Sequence, residues 1–313
     1  MIPLRNIACI GVGTIGSSWA ALFAWNELQV RIYDANSEAI EKAINNIEAA
    51  LEILREITGD KRSPKDLLDK IYIAKNLEDA LIGVQYVQES AAESYEVKKS
   101  LFKAMDEFTE SETILATSTS GLRISEIQKA ARRHPERCIT VHPFNPPHII
   151  PLVEIVPGEL TSEEVLRRTV EFMKRLNKKP VIVKKDIPGM IANRLTAALW
   201  REAVNLVHMG IATPEEIDTA VKYGPGLRWA ITGVFLTYHL GGGKEGIKHF
   251  LESLKESFSL RWKDLAKWTE YPPGSFEKII KGMEKYPILS KMSYDEITKW
   301  RDMKIIEILK IIR

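Results

Sequence analysis

Short apolar runs alternate with amphipathic stretches through the first half of the chain, and the alternation stops near residue 187. The runs are rich in β-branched residues: Asn6 to Ile10, Val30 to Tyr33, Tyr72 to Ala74, Tyr86 to Glu89, Ile114 to Ala116, Cys138 to Val141, Val153 to Val156 and Val181 to Val183. Runs of this kind belong to strands covered on both faces, as in a parallel sheet packed between helices. Ile15 to Ala24, Ser37 to Thr58 and Glu96 to Phe108 supply the helices. After Lys185-Asp186-Ile187-Pro188-Gly189 the strands end. Ile191, Leu195, Leu199, Ala203 and Leu206 then recur at helical spacing. Helical segments continue to Arg313, broken at Tyr223-Gly224-Pro225-Gly226, Gly241-Gly242-Gly243 and Tyr271-Pro272-Pro273-Gly274. The predicted class is α/β: a doubly wound, mostly parallel sheet over residues 1–187, then an all-helical domain over residues 188–313.

The first two strands frame the most informative motif. Ile7-Ala8-Cys9-Ile10 leads into Gly11-x-Gly13-x-x-Gly16, and after a helical stretch Gln29-Val30-Arg31-Ile32-Tyr33 closes on Asp34. Strand, glycine turn, helix, strand and acid in this order form the fingerprint of a Rossmann-like dinucleotide site. Gly11 permits the tight turn, Gly13 lets the backbone approach a pyrophosphate, and Gly16 lets the helix pack closely on the strand. The N–H groups at the helix start, around Thr14 and Ile15, face the phosphates. Asp34 suits the two ribose hydroxyls and repels a 2′-phosphate. Ala35, Asn36 and Ser37 offer no cation, so NAD is expected over NADP. FAD uses the same fingerprint, but the chain length and the residues downstream favour NAD.

Composition removes several function classes. A formal net charge of +2, with 45% hydrophobic and 27% charged residues, gives no global attraction to nucleic acid or membrane. Lys61-Arg62-Ser63-Pro64-Lys65 and Arg132-Arg133-His134 read as solvated segments, the first remaining a candidate phosphate contact. Cys9 and Cys138 stand in no metal-ligand or redox spacing, so neither a metal nor a disulfide is expected. The first strand begins almost at Met1, which leaves no room for a cleavable leader. No run reaches the roughly 18 apolar residues of a membrane span, and a cytoplasmic protein is expected.

Candidate chemistry begins with Val141-His142-Pro143-Phe144-Asn145-Pro146-Pro147, which puts a histidine at the end of a buried strand. Strand ends on that side of a doubly wound sheet face the ligand crevice. An imidazole there works as a base near neutral pH if a carboxylate holds its other nitrogen. Glu154 lies inside the next apolar run, where a carboxylate needs a partner, and His142 is the nearest candidate in sequence. On spacing alone, a satisfied core histidine and an ion-paired glutamate fit equally well.

Five motifs then occur in a telling order: the glycine turn, Val87-Gln88-Glu89-Ser90-Ala91-Ala92-Glu93, Thr117-Ser118-Thr119-Ser120-Gly121-Leu122, His142-Pro143-Phe144-Asn145-Pro146, and Gly189-Met190-Ile191-Ala192-Asn193-Arg194-Leu195. Together they resemble the 3-hydroxyacyl-CoA dehydrogenase superfamily over nearly the whole chain. The resemblance implies that His142 takes the proton of a substrate 3-hydroxyl as hydride leaves for the nicotinamide, with Glu154 orienting it. It implies that Ser120 and Asn193 hold the substrate oxygen, that Asn145 shapes the pocket, and that Glu93 and Lys98, the latter on an exposed helix, meet the nicotinamide ribose. Read without the resemblance, Ser120 suits a helix N-cap before Ile124 to Arg132, and Asn193 a surface position.

Within the superfamily the chain departs from the acyl-CoA enzymes. Leu227-Arg228-Trp229-Ala230, Trp300-Arg301-Asp302 and Gly16-Ser17-Ser18-Trp19-Ala20 are similar to the branch that holds L-gulonate 3-dehydrogenase (lambda-crystallin) and L-carnitine dehydrogenase. That branch implies a free 3-hydroxy acid as substrate. An arginine fork pairs two carboxylate oxygens, so Arg228 is the candidate clamp with Trp229 beside it; a structural ion pair is its other reading. Trp229, Phe235, Tyr238 and Trp262 are candidates for an aromatic cage around a trimethylammonium group. The alternatives are an L-3-hydroxyacyl-CoA dehydrogenase of fatty-acid metabolism, with Lys61, Arg62 and Lys65 on CoA phosphates, and a non-catalytic crystallin-like or NAD-sensing protein. Ser118 stands where the family more often has asparagine, and Gly121 where it has serine. The apolar stripes after Met190 exceed what a small domain buries, so a homodimer is expected.

Overall fold

Alternation along each strand explains why the runs read as continuously apolar. In the computed structural model, which describes residues 4–312, Ile7 and Cys9 enter one core with Trp19, Phe23 and Phe172, while Ala8 and Ile10 enter another with Phe102 and Met105. Side chains alternate between the two faces of a strand, so two covered faces leave no polar side.

The first unit contains β1 (Asn6–Ile10), α1 (Thr14–Trp25), β2 (Gln29–Tyr33), α2 (Ser37–Thr58), α3 (Pro64–Leu68), β3 (Ile71–Ile73), α4 (Leu77–Leu81), β4 (Tyr86–Glu89), α5 (Tyr95–Phe108) and β5 (Ile114–Thr117). It continues with α6 (Ile124–Ile127), β6 (Cys138–Pro143), β7 (Leu152–Pro157), α7 (Glu163–Arg175) and β8 (Lys179–Ile182). The strand order is β3-β2-β1-β4-β5-β6-β7-β8. All neighbours are parallel except β6 and β7, which run antiparallel with His142 opposite Glu154. The chain leaves β1 toward β3 on one side and returns to β4 on the other, and such a switch point opens a crevice at the strand ends.

Two local features hold α1 and α2 in place. The αL residue Gly59 (φ 70°) ends α2, and the Asn36 side chain caps its start by accepting from the Glu38 N–H. On α1, the buried Trp19 stacks on Phe23, which in turn packs on Phe172 of α7. The strand β6 runs on to Pro143 instead of stopping at Val141, because its ladder with β7 continues past His142.

Contacts divide the chain between Arg194 and Leu195, beyond the change of pattern at Ile187. The reason is local: the Glu154 carboxylate accepts the backbone N–H groups of Ile191 and Ala192, which ties the start of the next helix to the sheet. The second unit is helical, with the body of α8 (Ala192–His208) followed by α9 (Pro214–Tyr223), α10 (Pro225–Gly241), α11 (Gly246–Asp264), α12 (Ser275–Glu284) and α13 (Tyr294–Ile312). A Thr213–Glu216 capping box starts α9, and α10 is kinked at Gly233. On α8, Leu195 and Leu199 of the apolar stripe are exposed, in keeping with apolar surface beyond what the domain buries, whereas Val204 and Val207 are buried. Among the described residues no helix is long and apolar enough to cross a membrane.

Candidate active site

The glycine turn joins β1 to α1. Gly11 has φ +82°, and a Cβ there would lie 2.6 Å from the Ala91 nitrogen, so only glycine fits. A Cβ on Gly16 would lie 1.9 Å from the Gly11 carbonyl oxygen, which shows that Gly16 serves the closeness of the helix to the turn itself. Gly13 faces open space, and no side chain caps the start of α1, where Thr14 and Ile15 lie. Asp34, at the end of β2, accepts from the Val12 and Asn36 N–H groups at 2.9 and 3.0 Å. These bonds hold the acid against the turn.

A cleft of about 370 Å³ opens beside the turn, lined by Ile15, Ser90, Glu93, Lys98, Ser118, Ser120, His142, Asn145 and Asn193, among others. His142 Nδ1 lies 3.0 Å from Glu154 Oε2. The antiparallel register that sets the two residues opposite each other makes this contact. Glu154 Oε1 accepts the N–H groups of Ile191 and Ala192 at 2.9 and 3.0 Å. Burial, the largest influence, pushes this carboxyl up, but the hydrogen bonds from His142, Ala192 and Ile191 outweigh it and hold Glu154 below the usual carboxylate range. An ionised Glu154 accepts only, so a neutral His142 ring carries its proton on Nδ1 and its lone pair on Nε2.

Glu93 and Lys98 belong to a second network. Glu93 Oε1 accepts from Thr119 Oγ1 at 2.7 Å and from the Ser120 and Gly121 N–H groups at 2.9 and 3.0 Å. Burial raises its carboxyl, yet the Thr119 bond, the Lys98 charge and these backbone donors bring it below the usual range. Lys98 is 1% exposed, contrary to the expectation of an exposed helix position, because its ammonium turns inward to Glu89 at 2.9 Å and lies 3.6 Å from Glu93. Thr117 Oγ1 donates to Glu89 at 2.6 Å. Glu89, absent from the candidates above, carries the same sequence signal as Glu154: a carboxylate in an apolar strand.

The remaining expected positions divide. Ser120 caps no helix, since α6 begins at Ile124 after Arg123; its N–H and hydroxyl both face Glu93. Asn193 is in the first turn of α8 and its side chain donates to the Ser120 carbonyl at 3.4 Å. Asn145 is an exposed residue of the cleft wall. Arg228 and Trp229 lie on α10 of the second unit, the arginine exposed and the tryptophan half-buried. Among the described residues the Arg228 guanidinium shows no ion pair. Among the described residues no ring contact joins two of the four aromatic candidates directly. Tyr238 and Trp262 both pack toward Phe258, while Phe235 is 85% exposed.

The other branch markers have structural partners. Ser18 Oγ lies 2.7 Å from His148 Nδ1 and accepts the His148 N–H. Arg301 pairs with Asp302, and Lys222 lies over the Trp300 ring. Arg62 is held within the fold, with Nε on Asp60, an N–H on the Trp25 carbonyl and its plane over the Trp25 ring. Cys9 and Cys138 are buried, and burial raises both thiols.

Residues 6–187 match the family model described as 3-hydroxyacyl-CoA dehydrogenase, NAD binding domain, and residues 189–281 match its C-terminal domain. The chain belongs to the 3-hydroxyacyl-CoA dehydrogenase family. It is an NAD-dependent oxidoreductase acting on a CH–OH group. An L-carnitine dehydrogenase of Oceanobacillus iheyensis is 38% identical over 99% of this chain and 98% of its own, and one of Bacillus cereus is 34% identical over 99% and 93%. A solved structure described as 5-formyl-3-hydroxy-2-methylpyridine 4-carboxylic acid 5-dehydrogenase, an NAD+-dependent dismutase, superposes with TM-score 0.84 at 30% identity over 99% of both chains. An (S)-3-hydroxybutyryl-CoA dehydrogenase from Ralstonia eutropha follows at TM-score 0.66 and 28% identity, covering 82% of this chain and 89% of that one.

The turn of this family member fits NAD. Gly13 offers open backbone, α1 presents uncapped N–H groups, and Asp34 stands without a neighbouring cation at residues 35–37. The Glu89–Lys98 pair is nearly free of solvent, and breaking such a pair leaves a buried charge with weaker partners. Glu89→Gln is expected to destabilise the fold by about 3 kcal/mol. Glu89→Gln/Lys98→Met is expected to recover much of that loss, and urea unfolding of the two variants and the parent measures both.

Proposed function

We propose that the protein oxidises a free L-3-hydroxy acid, of the carnitine or gulonate kind, to the 3-keto acid. The observation that carries the chemistry is the buried His142–Glu154 pair at the cleft. NAD, when bound, accepts the hydride from the substrate carbon. His142 Nε2 takes the hydroxyl proton, and the imidazolium that results is stabilised by Glu154, which keeps its own charge. Ser120 and Asn193 hold the substrate oxygen, Asn145 shapes the pocket around it, and Glu93 and Lys98 meet the nicotinamide ribose.

The free-acid reading draws on full-length similarity to L-carnitine dehydrogenases. It is supported by the engagement of Arg62, which leaves Lys61 and Lys65 as the basic side chains of that stretch available to CoA phosphates. Arg228, exposed and unpaired among the described residues, is the proposed carboxylate clamp, with Trp229 beside it. The helical unit is the proposed dimerisation surface. Ile231, Phe235 and Leu240 on α10 and Leu260 on α11 are all more than half exposed, apolar side chains that a second copy would cover.

Three outcomes test these assignments. NAD reduction is expected with L-carnitine or L-gulonate and to collapse in Arg228→Ala; turnover of 3-hydroxybutyryl-CoA alone, indifferent to Arg228, would move the protein to the thioester enzymes. Glu154→Gln is expected to lower kcat by about 10²-fold or more while NAD binding persists. Its amide oxygen must stay with the two backbone N–H donors, so its NH₂ faces His142 Nδ1 and forces the tautomer in which Nε2 is protonated. Light scattering is expected to read twice the 35.5 kDa chain mass; a monomer at micromolar concentration would refute the dimer.

A further inference from the structure

A third polar network lies between the ends of β4 and β5 and reaches the same cleft. Tyr86 Oη donates to Gln88 Oε1 at 2.6 Å, and Gln88 Nε2 donates to Ser118 Oγ at 2.8 Å and to the Val141 carbonyl at 3.3 Å. Ser118 Oγ is 2.7 Å from Ser90 Oγ. Tyr86 and Gln88 are fully buried, whereas both serines line the cleft.

Hydrogen counting fixes what this network offers. The Val141 carbonyl requires a donor, so the Gln88 amide cannot be turned around, and both its N–H bonds are used on Ser118 and Val141. Ser118 therefore accepts from Gln88. One hydroxyl proton bridges the two serines, whichever of them donates. The pair is left with one further O–H, and among the described residues no acceptor takes it. That surplus donor belongs to the cleft.

Its position selects the kind of acceptor. Ser90 abuts the dinucleotide turn: a Cβ on Gly16 would lie 3.5 Å from its Cβ, and one on Gly11 would lie 2.8 Å from its carbonyl carbon. Nearby, two carboxylates, Glu89 and Glu93, face the single ammonium of Lys98, a surplus of negative charge that disfavours an anion. A neutral amide oxygen attached to the cationic ring of oxidised nicotinamide meets both conditions. We propose that the Ser90–Ser118 pair, oriented by Gln88, donates to the carboxamide oxygen of the nicotinamide and thereby sets the rotation of the ring against the wall of the cleft. The inference holds whichever hydroxy acid is oxidised.

The test is equilibrium binding to the full chain without substrate, by calorimetry, with NAD, its thionicotinamide analogue and ADP-ribose, which lacks the ring. The parent is expected to bind NAD several-fold more tightly than the analogue, because sulfur is the weaker acceptor. Ser90→Ala/Ser118→Ala is expected to weaken NAD roughly ten-fold, the size of one net hydrogen bond, to lose the preference over the analogue and to leave ADP-ribose unchanged. Ser118→Ala alone gives the same pattern where the double variant does not fold. Equal binding of NAD and its analogue by the parent overturns the proposal. So does equal weakening of NAD and ADP-ribose, or unchanged NAD affinity with a raised KM for the hydroxy acid.

Discussion

One antiparallel ladder in an otherwise parallel sheet organises the site. β6 and β7 pair with His142 opposite Glu154, and a shift of one residue in that register would send one of the two side chains to the other face. The carboxylate is then finished from a third direction by the backbone N–H groups of Ile191 and Ala192. Strand register fixes the imidazole, and the start of α8 fixes the charge that orients it. The same two N–H bonds bring Asn193 to the Ser120 end of the cleft, just before the boundary between the units.

Charge is handled differently on the two sides of the cleft. Around Glu154 one carboxylate is matched by neutral donors and an imidazole, an arrangement that keeps it ionised while burial opposes ionisation. Around Lys98 two carboxylates share one ammonium, with hydroxyl and backbone donors making up the difference. One network leaves an imidazole nitrogen open to the cleft, and the other encloses its ammonium almost completely. The Ser90–Ser118–Gln88 group is uncharged and lies between the turn and Val141 on the strand of His142.

The glycine turn was legible because its glycines fall at fixed spacing between strand and helix; Gly11 and Gly16 are required by close backbone approach, while Gly13 faces open space. The inner strands β4, β5 and β6 were legible because both faces are buried. Lys98 was misjudged because helical periodicity reports which residues lie on a polar face, and a lone lysine there turned inward to an acid from β4 that periodicity does not link to it. The stripe on α8 shows a related limit of periodicity. Helical spacing shows which residues share a face, and it does not show what covers that face: Leu195 and Leu199 are exposed while Val204 and Val207 are buried.

The sequence by itself determined the class of fold, the dinucleotide turn with its acid, and the family to which the chain belongs, because each is written in local order and spacing. Tertiary structure alone decided the partners: Glu154 for His142 through an antiparallel register, Glu89 for Lys98 across neighbouring elements, and Gln88 for Ser118 between adjacent strands. Those partners are separated by between 9 and 30 positions along the chain. What joins them is strand pairing and burial, which force each polar group to find whatever donor or acceptor the fold brings within reach.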